Sequence, residues 1–395
     1  MTLRKLLPTW LLNYPASAWR DDVLAGVIVT ILVLPQSLAY ALLAGLPPQL
    51  GLYASIFPVI AYALLGSSMV QAVGPVAITA IMTFAVLSPL AAPGSAEYLM
   101  LAATLSLMSG LLLLASGLLR LGFLAQMLSR PVLNGFLAGS AILIVFSQIQ
   151  HLFGIKPAGN DPGSVVRALL QQSPQHTTLL IGLSALAVLL FARFFLARLL
   201  QGLGISATRA SFAVRLTPLL LVLLATLAVV HYQLDQQYGV AVVGEIATGL
   251  PAFTPFLPGG DALAALLVPA LLMALIGMVQ NISMAQALAV KRQERIDANR
   301  ELIGLGAANI VVAFQGGMPV GGGVSRSAVN VAAGARTPLA SIVAALTMIV
   351  IVLGAAPWFS RLPLAALAAS IIVAAATMVD IEALRQAWRF DRADA

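Results

Sequence analysis

Charge is what this chain has least of. Only 9% of its 395 residues are charged, where an ordinary soluble domain carries about a quarter. Sixty per cent are hydrophobic and the mean hydropathy is +0.99, so the chain reads as a polytopic membrane protein. Cysteine is absent, which excludes disulfides and thiolate metal sites without naming a compartment. The three histidines, His151, His176 and His231, fall in loops or at the ends of apolar segments. With no acid paired to them inside the membrane, no nucleophile–base–acid set can be assembled. No secretory signal stands out either, because the short apolar run of residues 1–20 is broken by Pro8 and Pro15. Residues 1–22 read as an interface-hugging cytoplasmic lead-in, with Trp10, Tyr14 and Trp19 at headgroup level. No catalytic residue, cofactor or metal is expected.

What is present is a series of twelve hydrophobic segments. They cover about 23–44, 50–65, 71–87, 97–119, 129–153, 177–199, 213–232, 261–290, 299–315, 318–333, 337–355 and 358–379. A helical crossing needs about 20 residues, and the second, third, ninth and tenth segments are short or rich in Gly and Pro. With the N-terminus inside and the segments alternating, 17 of the 21 Lys and Arg fall on the cytoplasmic side, three fall outside, and Arg326 lies within the membrane. That asymmetry is the positive-inside pattern, and it accounts for the net charge of +7 without nucleic acid. The fourteen acidic residues all fall in loops or at segment ends. The membrane interior is therefore expected to hold one positive group and no carboxylate, which suits an anion better than a metal cation.

The stretch 316–330, GGMPVGGGVSRSAVN, is irregular in apolar surroundings and carries that one charge. Irregular backbone at membrane depth is tolerated only where it is buried in protein or lines a cavity. A shift of 244 residues lays Pro35-Gln36-Ser37 over Val279-Gln280-Asn281 and Pro75-Val76 over Pro319-Val320. Seven segments per repeat makes the two halves inverted in topology, a common transporter design. In the third segment, Gly74 permits close backbone approach and Pro75 suits a helix start. A short helix there aims the N–H groups of Val76, Ala77 and Ile78 at mid-membrane. In the tenth, 318–323 is the extended entry and the helix starts near Val324, so that Ser325, Arg326 and Ser327 face the first set. Two helix N-termini, each worth roughly +0.5 charge, then make an anion site.

The pieces 34–53 (LPQSLAYALLAGLPPQLGLY), 66–78 (GSSMVQAVGPVAI), 299–304 (NRELIG) and 318–337 (MPVGGGVSRSAVNVAAGART) resemble the sulfate permease (SulP) family of anion transporters and exchangers. The resemblance runs from about residue 20 to 390. It implies an all-α membrane protein built as an inverted seven-plus-seven repeat, with half-helices in the third and tenth spans preceded by short extended segments. By this likeness residues 23–119 and 261–357 form a mobile core, while 120–260 and 358–395 form a gate and the start of its second half. The family pattern continues with two further spans and a cytoplasmic STAS domain, neither of which is expected within these 395 residues. It also implies that Gln36 and Tyr40 line a substrate site from the first helix. Val76 holds a position that is aromatic in some relatives, and Ser325 and Arg326 hold the family's serine–arginine pair. Many members carry a carboxylate where Gln280 stands here. The candidate substrate-binding residues are thus Gln36, Tyr40, Val76, Ala77, Ile78, Gln280, Val324, Ser325 and Arg326.

The resulting expectation is secondary active transport of a small inorganic or carboxylate anion by alternating access, as exchanger or symporter, in an inner or plasma membrane. An uncoupled anion channel or a non-transporting membrane element of the same fold is the alternative, and it would present the same site. A neutral-nucleobase carrier is disfavoured by Arg326. A co-transported proton, membrane lipid and a second copy of the chain are candidate partners, and nucleic acid is not. Away from the site, Gln148 and Gln150 read as interface polar groups, and Ser106 and Ser109 as helix-packing residues. Asn134 and Gly135 suit close helix contact, and Asn309 and Gln315 are candidate supports of the site. The loops 154–177 and 232–263 read as connectors, the second with a β-prone piece at 239–243. Residues 291–301 read as a solvated charged turn.

Overall fold

The computed structural model describes residues 8–12, 14–126, 130–155, 162–254, 256 and 259–376. In chain order its main elements are α1 (Trp19–Leu43), α2 (Pro48–Tyr53), α3 (Phe57–Leu65), β1 (Val73–Gly74), α4 (Ala77–Leu87), α5 (Ala96–Leu118), α6 (Arg130–Phe153), α7 (Pro162–Gln171), α8 (His176–Phe191), α9 (Ala207–Tyr232), α10 (Gly260–Arg292), α11 (Ala298–Phe314), β2 (Gly321–Gly322), α12 (Val324–Ala332), α13 (Leu339–Gly354) and α14 (Leu364–Ala375). Six helical stretches among the described residues are long and apolar enough to cross a membrane. The second apolar segment is broken into α2 and α3, and the third and tenth are each a two-residue strand followed by a short helix. The chain divides into two compact units, residues 1–128 with 248–354 and residues 129–247 with 355–395.

In the first unit α11 lies along α5 and also packs on α3, while α13 lies along α1. Lipid tails are as apolar as Leu, so membrane helices associate chiefly through close van der Waals packing. The α5–α11 seam achieves this with small residues. A Cβ on Gly306 would stand 2.6 Å from the Leu114 backbone nitrogen and 2.8 Å from the Gly110 carbonyl oxygen. Ser109 stays on its own helix, donating to Leu105 O, and Ser106 also reaches the carbonyl of Gly317 at 2.8 Å. Side chains cap two helix starts: Ser95 caps α5 by accepting from the Tyr98 N–H, and Asp297 caps α11 by accepting from Asn299 and Arg300.

Two carboxylates at helix starts are buried, which corrects the expectation of a solvated turn through residue 301. Glu301, in the first turn of α11, has no solvent exposure. Its Oε1 accepts from the Ser67 N–H, the Ser67 hydroxyl and the Ser68 N–H, each at 2.8 Å. Its Oε2 accepts from the Tyr62 hydroxyl at 2.5 Å and from Asn281 Nδ2 at 3.1 Å. An ionised carboxylate is acceptor-only, with about four lone-pair sites, so five donors leave it fully engaged. Asp22, in the first turn of α1, accepts from the Arg336 and Thr337 N–H groups, the Thr337 hydroxyl and the Tyr14 hydroxyl. Burial, and then the hydrogen bond to Asp22, pushes the Tyr14 phenol up to about 12. Its donor proton therefore contributes fully below about pH 10 and is lost only as pH climbs through about 12.

In the second unit α14 packs on α6 and α8. The β-prone piece does more than connect: Val242 bridges Pro363 in antiparallel fashion, Val243 N donates to Leu362 O, and Leu364 N donates to Ala241 O, both at 2.9 Å. The loop 154–177 contains α7 rather than bare connector. Gln148 and Gln150 are buried rather than interfacial. Gly135 is exposed with open space where a Cβ would stand, so it makes no close helix contact, and the Asn134 side chain lies outside the described residues.

Two outcomes follow for stability. Glu301→Ala orphans buried donors at about 1–3 kcal/mol each, so thermal unfolding in detergent should show a loss of about 3 kcal/mol or more, with Glu301→Gln in between. Gly306→Leu should fail to yield monodisperse protein on size exclusion, whereas Gly135→Leu should behave as the unaltered chain.

Candidate functional site

The two half-helices are set by a pair of very short strands in the first unit. β1 and β2 pair antiparallel, Val73 with Gly322 and Gly74 with Gly321, and the Gly323 N–H extends the contact to Ala72 O at 3.1 Å. Each strand runs straight into a helix. After β1, Val76 is extended as the N-cap of α4, one residue past Pro75, and the first helical bond is Ala80 N to Val76 O. After β2, Gly323 is the N-cap of α12, and the first helical bond is Ser327 N to Gly323 O at 2.9 Å. The N–H groups of Ala77, Ile78 and Thr79 on one side, and of Val324, Ser325 and Arg326 on the other, thus have no intrahelical acceptor. Ser327 N–H, expected among them, is instead used within α12. Antiparallel strands send the two helices off in opposite directions from adjacent caps. A Cβ on Gly323 would lie 3.4 Å from Val76 Cγ1. Two positive helix ends meet at this point.

Side chains from neighbouring elements pin the strands. Asn309 donates to Val320 O at 3.0 Å and accepts from Val320 N at 2.9 Å, so it holds the approach to β2 like a strand partner. Gln280 donates to Gly322 O at 3.2 Å. Ser327 accepts from the Ala72 N–H, and Asn330 donates to Val70 O. Gln71 donates to Asn281 Oδ1 at 2.5 Å, which links the β1 entry through Asn281 to Glu301. Gln315 is buried with no hydrogen-bond partner for its amide, so it pins neither strand.

Arg326 is 6% exposed. Its Nη2 donates to Ser37 Oγ at 3.2 Å, its Nη1 to Val73 O at 3.4 Å, and both reach Ser55 Oγ at 3.5 Å. The salt bridges among the described residues involve other arginines, so its acceptors are all neutral. The charge is uncancelled, while its donors are engaged by neutral acceptors. Gly74 makes this seat: a Cβ there would stand 2.1 Å from Nη1. A cavity of about 20 Å³, enough for one water, lies beside the guanidinium and is lined also by Thr30, Ser55, Ser341 and Met348.

The remaining candidates are placed as follows. Tyr40, Val76, Ala77 and Ile78 are buried, and Gln36 is half-buried on α1, which packs on both α4 and α12. Gln280 holds β2 through its amide. Val324 is 58% exposed, and the Ser325 side chain lies outside the described residues. The structure adds Ser37, Ser55, Gln71, Asn281 and Asn330. An amide within a hydrophobic segment, such as Asn281 or Asn330, is the signal that marks such residues, since it must find a partner in the membrane. Ser37 and Ser55 carry no such mark.

Comparison with known proteins agrees with this architecture. A family model described as "Sulfate permease family" matches residues 19–395. The chain is 39% identical over 379 residues to "Probable sulfate transporter Rv1739c" of Mycobacterium tuberculosis, covering 95% of this chain and 64% of that protein. It is 34% identical to "Sulfate transporter 4.1, chloroplastic" of Arabidopsis thaliana, covering 98% and 55%. Thus it spans somewhat over half the length of these relatives, which are named as transporters and not as enzymes. Among solved structures, murine Slc26a9, titled an anion transporter in the inward-facing state, superposes with a TM-score of 0.87 at 25% identity, covering 99% of this chain and 66% of that one. The transmembrane domain of the cyanobacterial transporter BicA shares the fold, with a TM-score of 0.81 at 24% identity and coverage of 94% and 92%. This multi-pass helical chain, with its paired half-helices, belongs to the sulfate permease family.

Proposed function

We propose that the chain binds a small anion between the N-termini of α4 and α12 and carries it across the membrane by alternating access. The observation that carries this reading is the β1–β2 pair, which brings two helix N-termini together beside a buried, uncancelled Arg326. Free N–H groups supply directional donors, the helix ends supply partial positive charge, and Arg326 adds a full one. Gln36 adds a side-chain donor and Tyr40 a wall. The unit that holds β1 and β2 is the core, and the other is the gate. Sulfate is the first anion to test, because the two relatives described above are named as a probable sulfate transporter and a sulfate transporter.

Exchange is favoured over strict proton symport through a buried acid. Gln280 occupies the eighth-segment position, and the two carboxylates buried among the described residues of this unit, Asp22 and Glu301, are each held by four or five donors. Neither presents a free oxygen to the half-helix junction.

Reconstituted into liposomes, the protein should take up labelled sulfate in a saturable manner with counterflow. Unitary currents in place of counterflow would mean a channel. Arg326→Ala should lower uptake at least tenfold, about 1.4 kcal/mol, while the variant still reaches the membrane; unchanged uptake sinks the site. Gln36→Ala should weaken apparent affinity about 3- to 10-fold, in line with one hydrogen bond of about 0.5–1.5 kcal/mol. No change would remove Gln36 from the site.

A further inference from the structure

We infer that Ser37 and Ser55 are positioning residues for Arg326, aiming its charge at the half-helix junction without cancelling it. The inference rests on the anion-site reading above and deepens it.

The two hydroxyls lie 2.9 Å apart and both are buried. Ser55 donates its single proton to the carbonyl of Gly51 at 3.1 Å. Ser37 must then be the donor within the pair, so the proton order runs from Ser37 to Ser55 to Gly51. A hydroxyl has one donor and two acceptor lone pairs. With both protons committed to this chain, each oxygen retains a lone pair for a guanidinium, and the Arg326 Nη atoms occupy those directions. The Val73 carbonyl of β1 supplies the third acceptor. Gly74 leaves the space through which Nη1 passes.

Neutral acceptors are what such a role calls for. A carboxylate would grip the guanidinium more strongly by pairing opposite charges, but would annul the field that an anion is to feel. Hydroxyls hold the planar fork in place and leave the full charge. Removing them also frees the group to move, because the cavity of about 20 Å³ lies against both Ser55 and Arg326. The same cavity has room for the extra methyl of a threonine at position 55.

The test is binding of sulfate, and separately of chloride, to detergent-solubilised protein by isothermal titration, alongside thermal unfolding. The variants are the Ser37→Ala/Ser55→Ala pair, Arg326→Ala, their triple combination, and Ser55→Thr. The serine pair should bind whichever anion the unaltered protein binds at least tenfold more weakly, and Ser55→Thr should bind as the unaltered protein does. The triple variant should be no weaker than Arg326→Ala, because the serines act through Arg326; a merely structural role would instead make the losses multiply. Losses that multiply, or a serine pair that binds normally while Arg326→Ala does not, would overturn the inference alone. Normal binding by Arg326→Ala would overturn the anion site and the inference together.

Discussion

A backbone N–H or C=O left bare at membrane depth costs several kcal/mol, and this chain interrupts two helices there. The antiparallel pairing of β1 with β2 is what makes those interruptions tolerable. It satisfies peptide groups that no helix can serve, and it does so with one strand from each half of the chain. Several neighbouring side chains serve that pairing. Asn309 pairs with Val320 as a strand neighbour would, Gln280 takes the carbonyl of Gly322, and Ser327 takes the N–H of Ala72. In the second unit, residues 241–244 and 360–364 again pair extended pieces that are far apart in sequence.

Much of this fold was legible because the physics behind it is local. Prolines and glycines in apolar runs mark where a helix is interrupted: the tenth-segment helix starts at Val324 as expected, and the third-segment helix starts at Ala77, two residues past Pro75. The 244-residue register was less exact: from Val73 it lands on Gly317, four residues short of β2. Repeats diverge by insertion where no helix face enforces a period, and the glycine-rich entry to β2 is such a place.

What was not legible depends on partners distant in sequence. Glu301 sits beside a charged turn, and its neighbours say solvent. Its burial comes from Ser67, Ser68 and Tyr62, more than 230 residues earlier. The seat of Arg326 has the same origin, since Ser37, Ser55 and Val73 lie more than 250 residues away. Serine is common in membrane helices as a small packing residue, so composition could not single these two out. Gln148 and Gln150 were misplaced for a related reason: position near a segment end says interface, while tertiary packing decided on burial.

The arrangement of acids explains how one arginine can dominate the junction. Both carboxylates buried among the described residues of the first unit stand in the first turn of a helix, where the partial positive end of the helix dipole favours a negative group. There each closes a loop that belongs to the other half of the chain: Glu301 takes the N–H groups of Ser67 and Ser68, just ahead of β1, and Asp22 takes those of Arg336 and Thr337, just after α12. Their negative charge is thus engaged by hydrogen-bond donors of their own, backbone and side chain alike. The guanidinium, by contrast, is given only hydroxyls and a carbonyl. On the anion-site reading proposed above, separating the acids from the base in this way would leave positive potential where α4 and α12 begin, the sign an arriving anion requires.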